Sequence, residues 1–396
     1  MDTFNIQFYD LLSRALGGND NKRIQDYLDT VMAAKYNSLQ LDGFTFNDDM
    51  QLDFTYEQVQ NELKMSVMAQ YVDVDAPAIP LGAEGFTLET GKIPRQKMVE
   101  YLNEDKVRKQ LLLEQRLGAD SSRAINSAKD KFFTTVDTLF GGHTNSLTYQ
   151  RHQVVSAGKL HLTDTNNPRG IKDVTFASHI PSGNITTKTS TARWWTSVSN
   201  GVYSSEGAAC DPIKDLKKMV RNAQDKGVSA MHFEIDKLYA DQVVQHSKIV
   251  EAIAIRLYPG AIGDTLTGFK SNVAQQNTDD LLVLLGKIVG APFKVIDSIV
   301  SVEKWDDTNK KLSRPQFRAF EANVLVLVPD GSLGEVITVE PIALAGGNYG
   351  SFYGGKLLLT IDFDYVKKCQ SYNTEMTSLV VPDKPQYMWY IHPYSA

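Results

Sequence analysis

Residues 350–356, GSFYGGK, carry the glycine and lysine spacing of a phosphate-binding loop. In such a loop backbone N–H groups cradle phosphate, the lysine reaches it, and a Ser or Thr at the next position holds magnesium. Leu357 stands at that position, and the strand-like LLLTIDF follows where a helix N-terminus should face the phosphate, so the segment reads as a flexible glycine-rich turn. His232 and Glu234, in HFE, have the His-x-Glu spacing of a zinc deaminase. The paired cysteines of that chemistry are missing and the flanking SAMHFEID alternates like a strand, which makes His232 a structural residue. Residues 164–170, DTNNPRG, are spaced like part of a calcium loop, but Thr175 occupies the place of the bidentate Glu and a polar turn remains. VDVD at 72–75 and DFD at 362–364 put alternate carboxylates on one strand face, where a metal could sit; we read both as solvated faces.

Cys210 and Cys369 are too few for a disulfide framework or a zinc site, fit a reducing compartment, and lie in no nucleophile motif. No GxSxG elbow is present. The seven histidines, His143, His152 and His161 among them, do not fall at metal-ligand spacing. Trp194 and Trp195, in ARWWTSV, could stack bases or sugars, or plug a core or an interface. The glycosylation sequon at Asn184 has no meaning without a secretory route. The case for catalysis is thin, and neither a cofactor nor a metal is expected.

With 396 residues, 42% hydrophobic and 22% charged, the chain has room for two or three domains and a sizeable core. Its formal charge of -6, from 41 basic and 47 acidic residues, excludes a dedicated nucleic-acid binder and leaves room only for local or weak contacts with DNA. MDTFNIQFYDLLSRALGG lacks the basic and apolar regions of a signal peptide; Phe4, Phe8, Leu11, Leu12 and Ala15 instead predict an amphipathic helix stopped by Gly17 and Gly18. The most apolar later stretch, DLLVLLGKIVGAPFKVI, is short and broken by Lys287 and Pro292, so no membrane span is expected.

The elements that would position these residues follow a clear order. Residues 1–75 read as short helices with strand-like interruptions, sharing no periodic core with the rest. Asn103 caps a predicted helix over 104–140 in which Val107, Leu111, Ile125, Phe132, Val136 and Phe140 recur at helical spacing, with Gly118 as a possible break and Gly141–Gly142 as the stop. A second helix, NSLTYQRHQVVSA, ends at Gly158. From Trp194 the grammar is α/β: DPIKDLKKMVRNAQDKG and KLYADQVVQHSKIVEAI read as helices around the strand SAMHFEID. FKVIDSIVSVEKW, FEANVLVLVPDG, GEVITVEPIAL and KLLLTIDFDY read as strands.

Between these regions lies APAIPLGAEGFTLETGKIPRQK, residues 76–97, with three glycines, three prolines and few apolar anchors. A structureless loop of that length is uncommon inside a compact domain. Folded as two antiparallel arms of about eleven residues, it would reach roughly 35 Å at about 3.3 Å per residue, far enough to cross a neighbouring subunit. Candidate contact residues across such an interface are Pro80, Gly82, Glu84, Gly85, Phe86, Glu89, Gly91, Pro94, Arg95 and Lys97, with Arg95, Lys97, Glu84 and Glu89 fixing register by charge.

GKIPRQKMVEYLNEDKVR, YQRHQVVSAGKLHL, RWWTSV, DPIKDL, SAMHFEID, VIDSIVSVEKWDD, FEANVLVLVPDGSLGEV and VVPDKPQYMWY occur in an order, over roughly three-quarters of the chain, that resembles the lambda-type (major capsid protein E) branch of tailed-bacteriophage major capsid proteins. That resemblance implies an α+β chain with the HK-ninety-seven-like Johnson fold: an N-terminal arm (1–70), an extended two-stranded loop (71–102), a peripheral domain with a long spine helix (103–199), an axial α/β domain (200–345), and C-terminal strands returning to the peripheral and axial domains (346–396). The helix-rich N-terminal region and the glycine-rich 345–355 depart from the family pattern.

It also implies a function without catalysis: pentamers and hexamers of the chain closing into an icosahedral shell around packaged double-stranded DNA, held without sequence-specific binding. Partners implied in the same way are a portal, scaffolding or protease functions, and a decoration protein. Assembly would take place in the bacterial host cytoplasm, with the mature protein in the virion. The rivals are a cellular nanocompartment shell of the same fold and an α/β enzyme using the Trp194–Trp195 region or the carboxylates of 362–364.

Overall fold

The computed structural model describes Thr30, 41–47, 50–61, 86–102, Lys109, Leu112, 122–177, 180–199, 202–260, 263–306, 310–342, 350–353, 356–364 and 369–394. The helix expected over Phe4 to Ala15, the VDVD pair and residues 76–85 lie outside them.

In chain order, strands β1 (Phe44–Phe46), β2 (Thr55–Asn61), β3 (Phe86–Lys92) and β4 (Arg95–Leu102) precede a long helix, α1 (Ser122–Ala157). Short strands follow: β5 (Lys159–Leu162), β6 (Val174–Ala177), β7 (Ile185–Thr187), β8 (Trp195–Ser199) and β9 (Val202–Glu206). Next come α2 (Pro212–Asp225), β10 (Met231–Asp236), α3 (Lys237–Val243), α4 (Ser247–Leu257), α5 (Asp264–Ala274) and α6 (Thr278–Val289). The remaining strands are β11 (Phe293–Ile296), β12 (Ile299–Ser301), β13 (Lys304–Asp306), β14 (Lys311–Ser313), β15 (Gln316–Arg318) and β16 (Leu325–Pro329). They continue through β17 (Gly334–Val339), β18 (Gly350–Tyr353), β19 (Leu357–Asp364), β20 (Cys369–Pro382) and β21 (Trp389–His392). The chain is α+β and divides into two compact units, one drawing on 1–56, 91–148 and 335–380, the other on 57–90, 149–334 and 381–396.

The first unit is built on a six-stranded sheet ordered β1-β17-β20-β19-β18, with β4 also paired to β20. β20 is antiparallel to both β19 and β4, in a register running from Gln370↔Leu102 to Thr377↔Arg95 on the β4 side. Residues 41–56 belong to this unit's core, contrary to the separation expected for the N-terminal region: Leu41, Phe44 and Tyr56 are buried. The Asn47 and Gln51 amides donate to the Val336 and Thr338 carbonyls at 3.2 and 3.1 Å. Bonds to a strand so distant in sequence leave no local period to read.

Helix α1 runs straight through Gly141 and Gly142, where a stop is expected, and joins the two predicted helices into one. A glycine costs a helix about 1 kcal/mol relative to alanine. Against that, Leu139, Phe140, His143 and Leu147 continue one buried stripe across the pair, and a buried large apolar side chain contributes about 1.5–3 kcal/mol. Gly142 also makes room for the Met98 thioether of β4, which a Cβ there would push aside. The helix ends at Gly158, whose φ of +66° only glycine adopts freely.

The second unit has a five-stranded sheet ordered β11-β10-β16-β21-β7. β10 is parallel to β11 and antiparallel to β16, and both of its faces are covered: Met231, Phe233, Glu234, Ile235 and Asp236 are all buried. Helix α2 starts where it should, with the Asp211 side chain accepting from the Lys214 amide at 3.0 Å and Pro212 in the first turn. Leu216, Met219, Val220 and Ala223 form its buried face. The helix expected over KLYADQVVQHSKIVEAI is two, α3 and α4, because His246 leaves helical geometry and caps α4. FKVIDSIVSVEKW, expected as one strand, is three: β11 joins the sheet while β12 and β13 pair with β15 and β14 in a separate ribbon.

Candidate functional site

The stretch 76–97 does not fold on itself among the described residues. β3 pairs with β2, and β4, only two residues further along, pairs with β20. The two-stranded ribbon is therefore made of 55–61 and 86–92, and it belongs to neither large sheet. The described seven-residue arms span about 23 Å at 3.3 Å per residue, and residues 62–85 between them lie outside the described residues.

Pro80, Gly82, Glu84 and Gly85 lie outside the described residues. Phe86, Glu89 and Gly91 are on β3, Gly91 so close to the Tyr56 ring that a side chain would clash with it. Pro94 sits in the connector, and the Ile93 amide donates to Phe54 O at 2.8 Å. Arg95 and Lys97 begin β4, and both pair with Glu375 of the same chain, Lys97 at 3.2 Å. Glu375 escapes the sequence because nothing in an isolated strand says which strand will lie opposite. Beyond these charges β4 exposes Met98, Val99 and Tyr101.

The residues that suggested chemistry are occupied elsewhere. Trp194 and Trp195 are buried, and the Trp194 Nε1–H donates to Asp215 Oδ2 at 2.9 Å, so the pair plugs a core and offers no stacking face. In GSFYGGK, Gly350–Tyr353 form β18, antiparallel to β19 with Tyr353 opposite Leu357, and residues 354–355 lie outside the described residues. In DTNNPRG, Asn166 Oδ1 accepts from the Thr163 amide and Lys172 pairs with Asp164 at 2.6 Å. Asn184 is buried, its Nδ2 donating to the Gln386 and Met388 carbonyls. DFD lies on β19 in register with Ser371, Gln370 and Cys369. His161 Nδ1 lies 2.7 Å from the Thr175 hydroxyl.

Two polar clusters join residues that the sequence gives no reason to pair. Arg151 of α1 makes a two-pronged pair with Glu234 of β10, both buried, with the Nη1···Oε2 contact at 2.6 Å. Burial alone would raise the Glu234 carboxyl, but His232, 3.5 Å away, and the Arg151 guanidinium hydrogen-bonded to it hold it down to about 2. His232 Nδ1 meets Asp330 at 2.5 Å; burial pulls His232 down, and Glu234 and Asp330 carry it above its ordinary value.

In the second cluster Cys210 Sγ lies 3.5 Å from His246 Nε2, and His246 Nδ1 lies 3.7 Å from Glu206, the layout of a thiol–imidazole–carboxylate triad. The proton positions oppose that chemistry. His246 Nδ1 accepts from the Lys248 amide at 3.2 Å, so Nε2 carries the hydrogen and faces the Trp194 carbonyl at 3.3 Å. An imidazole protonated on that side cannot take the thiol proton. Burial pushes the Cys210 thiol up and His246 down, and Glu206 accepts from the Ser247 amide at 2.6 Å. These three residues could surround a metal ion, but the lone pairs of His246 Nδ1 and Glu206 already serve the start of α4.

No helix among the described residues is long and apolar enough to cross a membrane. No family model matches the chain, and no curated protein does. Among solved structures, the capsid of Cyanophage A-1(L) is similar at 11% identity and a TM-score of 0.45, over 90% of this chain and 94% of that one. A phage-related protein from Bordetella bronchiseptica RB50 is similar at 11% identity and a TM-score of 0.44, over 97% and 96%. The capsid of Cyanophage P-SCSP1u is similar at 9% identity and a TM-score of 0.43, over 89% and 86%. These likenesses span most of each chain, at levels where this chain's own residues must carry its function.

Proposed function

We propose that this chain is the major capsid protein of a tailed double-stranded-DNA bacteriophage, assembling with itself into the icosahedral shell that encloses the genome. The observation that carries the reading is the β2–β3 ribbon, which is hydrogen-bonded to neither large sheet and flanks residues 62–85. An isolated two-stranded ribbon is marginal in water, and a strand partner or a packing face from another copy would complete it. The ribbon falls in the part of the chain whose sequence already asks for a neighbour.

In this reading the five-stranded unit takes the axial role and supplies pentamer and hexamer contacts, while residues 80–92 reach an adjoining copy. Closed symmetry would turn many modest contacts into one stable particle. The role is structural, without catalysis or a bound cofactor, and is exercised in the virion after assembly in the host cytoplasm. Partners are further copies, then a portal, scaffolding or protease functions, a decoration protein, and packaged DNA bound without sequence preference.

Negative-stain microscopy of the expressed full-length chain tests the reading. Closed shells are the expected result, and deletion of residues 80–92 should abolish them or make them heat-sensitive. A monomer or small soluble oligomer at high concentration, or a particle loaded with a protein cargo in place of DNA, would overturn it.

A further inference from the structure

α2 has two faces of opposite character. Leu216, Met219, Val220 and Ala223 are buried, while Lys214, Lys217, Lys218 and Arg221, spaced i, i+3, i+4 and i+7, are exposed along one stripe. Among the described residues no carboxylate forms an ion pair with any of the four. Of the nearby acids, Asp215 is engaged by Lys188 and the Trp194 indole, Asp211 caps the helix through the Lys214 amide, and Asp225 closes the stripe in the last turn. In a chain of net charge -6, four adjacent cations without partners stand apart from the average surface.

We propose that this face of α2 is where the chain meets the phosphate backbone of double-stranded nucleic acid. The composition favours a polyanion over a protein partner. Protein interfaces are depleted in lysine and anchored by aromatic or aliphatic groups, and none of α2's large apolar side chains is exposed. Lysine is a compact, rotatable point charge suited to phosphate oxygens without fixed geometry, which matches contact that ignores base sequence. From Lys214 to Arg221 the stripe runs about 10 Å at 1.5 Å per residue, roughly three phosphate steps of one strand at about 3.4 Å each. The inference rests on the shell reading for its biological setting, since it assigns the stripe to the side of the shell that faces the genome.

The test is fluorescence anisotropy of the full-length chain with a labelled random-sequence duplex over a salt series. The stripe variant is Lys214→Gln/Lys217→Gln/Lys218→Gln/Arg221→Gln. A control of equal charge change is Lys248→Gln/Lys310→Gln/Lys311→Gln/Lys384→Gln. The stripe variant should bind at least about tenfold more weakly near 0.1 M salt, with the log–log salt slope shallower by about 3 to 4, while the control keeps most of both. Equal losses in the two variants, or no loss in the stripe variant, would overturn the proposal. So would a stripe variant that binds DNA normally but no longer assembles, which would make the stripe a contact between copies. If the quadruple change lowers the melting temperature, Lys217→Gln and Arg221→Gln singly should each reduce the slope by about 1, and unchanged slopes would overturn the proposal. A chain that never forms shells yet shows the stripe-specific loss would sink the shell reading and leave this contact standing.

Discussion

Among the described residues only the five-stranded unit buries charged groups, Glu234 matched by the buried Arg151 and Asp236 by the partly exposed Arg318. In the six-stranded unit the buried polar groups are neutral: His143 reaches the Thr374 hydroxyl at 3.0 Å and Gln96 at 3.4 Å, and the Thr338 and Ser378 hydroxyls meet at 3.2 Å. A matched ion pair is costly to halve, because the surviving charge stays buried without its partner. A neutral hydroxyl–imidazole network loses less on truncation but answers to pH wherever a proton would charge it. Truncating the ion pair and titrating His143 therefore probe the two cores separately.

The largest effect is expected from Arg151→Ala, which leaves Glu234 buried with only His232 beside it and should cost about 3–5 kcal/mol in urea unfolding. The double change Arg151→Met/Glu234→Leu should cost far less; equal costs would show that packing, and not charge matching, holds that core.

Acid should strike the other unit through His143, which burial lowers from its ordinary 6.5 to about 4. Between those values the unfolded chain binds a proton that the folded chain refuses, so stability falls as pH drops from 6.5 towards 4, by at most about 3 kcal/mol. Glu234 stays ionised through the same window, so its pair does not share the loss. His246 and His392 are also lowered by burial, so the quantity to measure is the difference between the chain and His143→Gln. A variant with the same acid slope would remove His143 from the account.

The smallest effect belongs to Glu375, whose partners Arg95 and Lys97 are largely exposed. Glu375→Ala should shift stability by no more than about 1 kcal/mol, less in high salt. A larger loss in thermal melts would mean that β4 is held by that charge and not by its ladder with β20.

The elements legible in the sequence are those with local signals. Asp211 and Pro212 announce α2, the alternation of SAMHFEID announces β10, and Gly158 marks the end of α1. What could not be read depends on distant partners. The glycine pair in α1 looks like a stop until Met98 is known to lie against it. The β2–β3 pairing spans 62–85, and a strand carries no mark of its partner when that partner is so far along the chain. His246 looks like one more helical residue until its ring is seen capping α4. The same limit hid Glu375 beside Arg95 and Lys97, although the exposed basic residues at the start of β4 were visible.

The close fit of Met98 against Gly142 also has a chemical lifetime. The Met98 side chain is 37% exposed, open to oxidants, and a sulfoxide is a bulkier and more polar group than the thioether it replaces. Because that thioether lies against Gly142, oxidation would put a larger, polar group at the contact between helix α1 and β4, so ageing in air would alter this seam from outside while the sequence stayed unchanged.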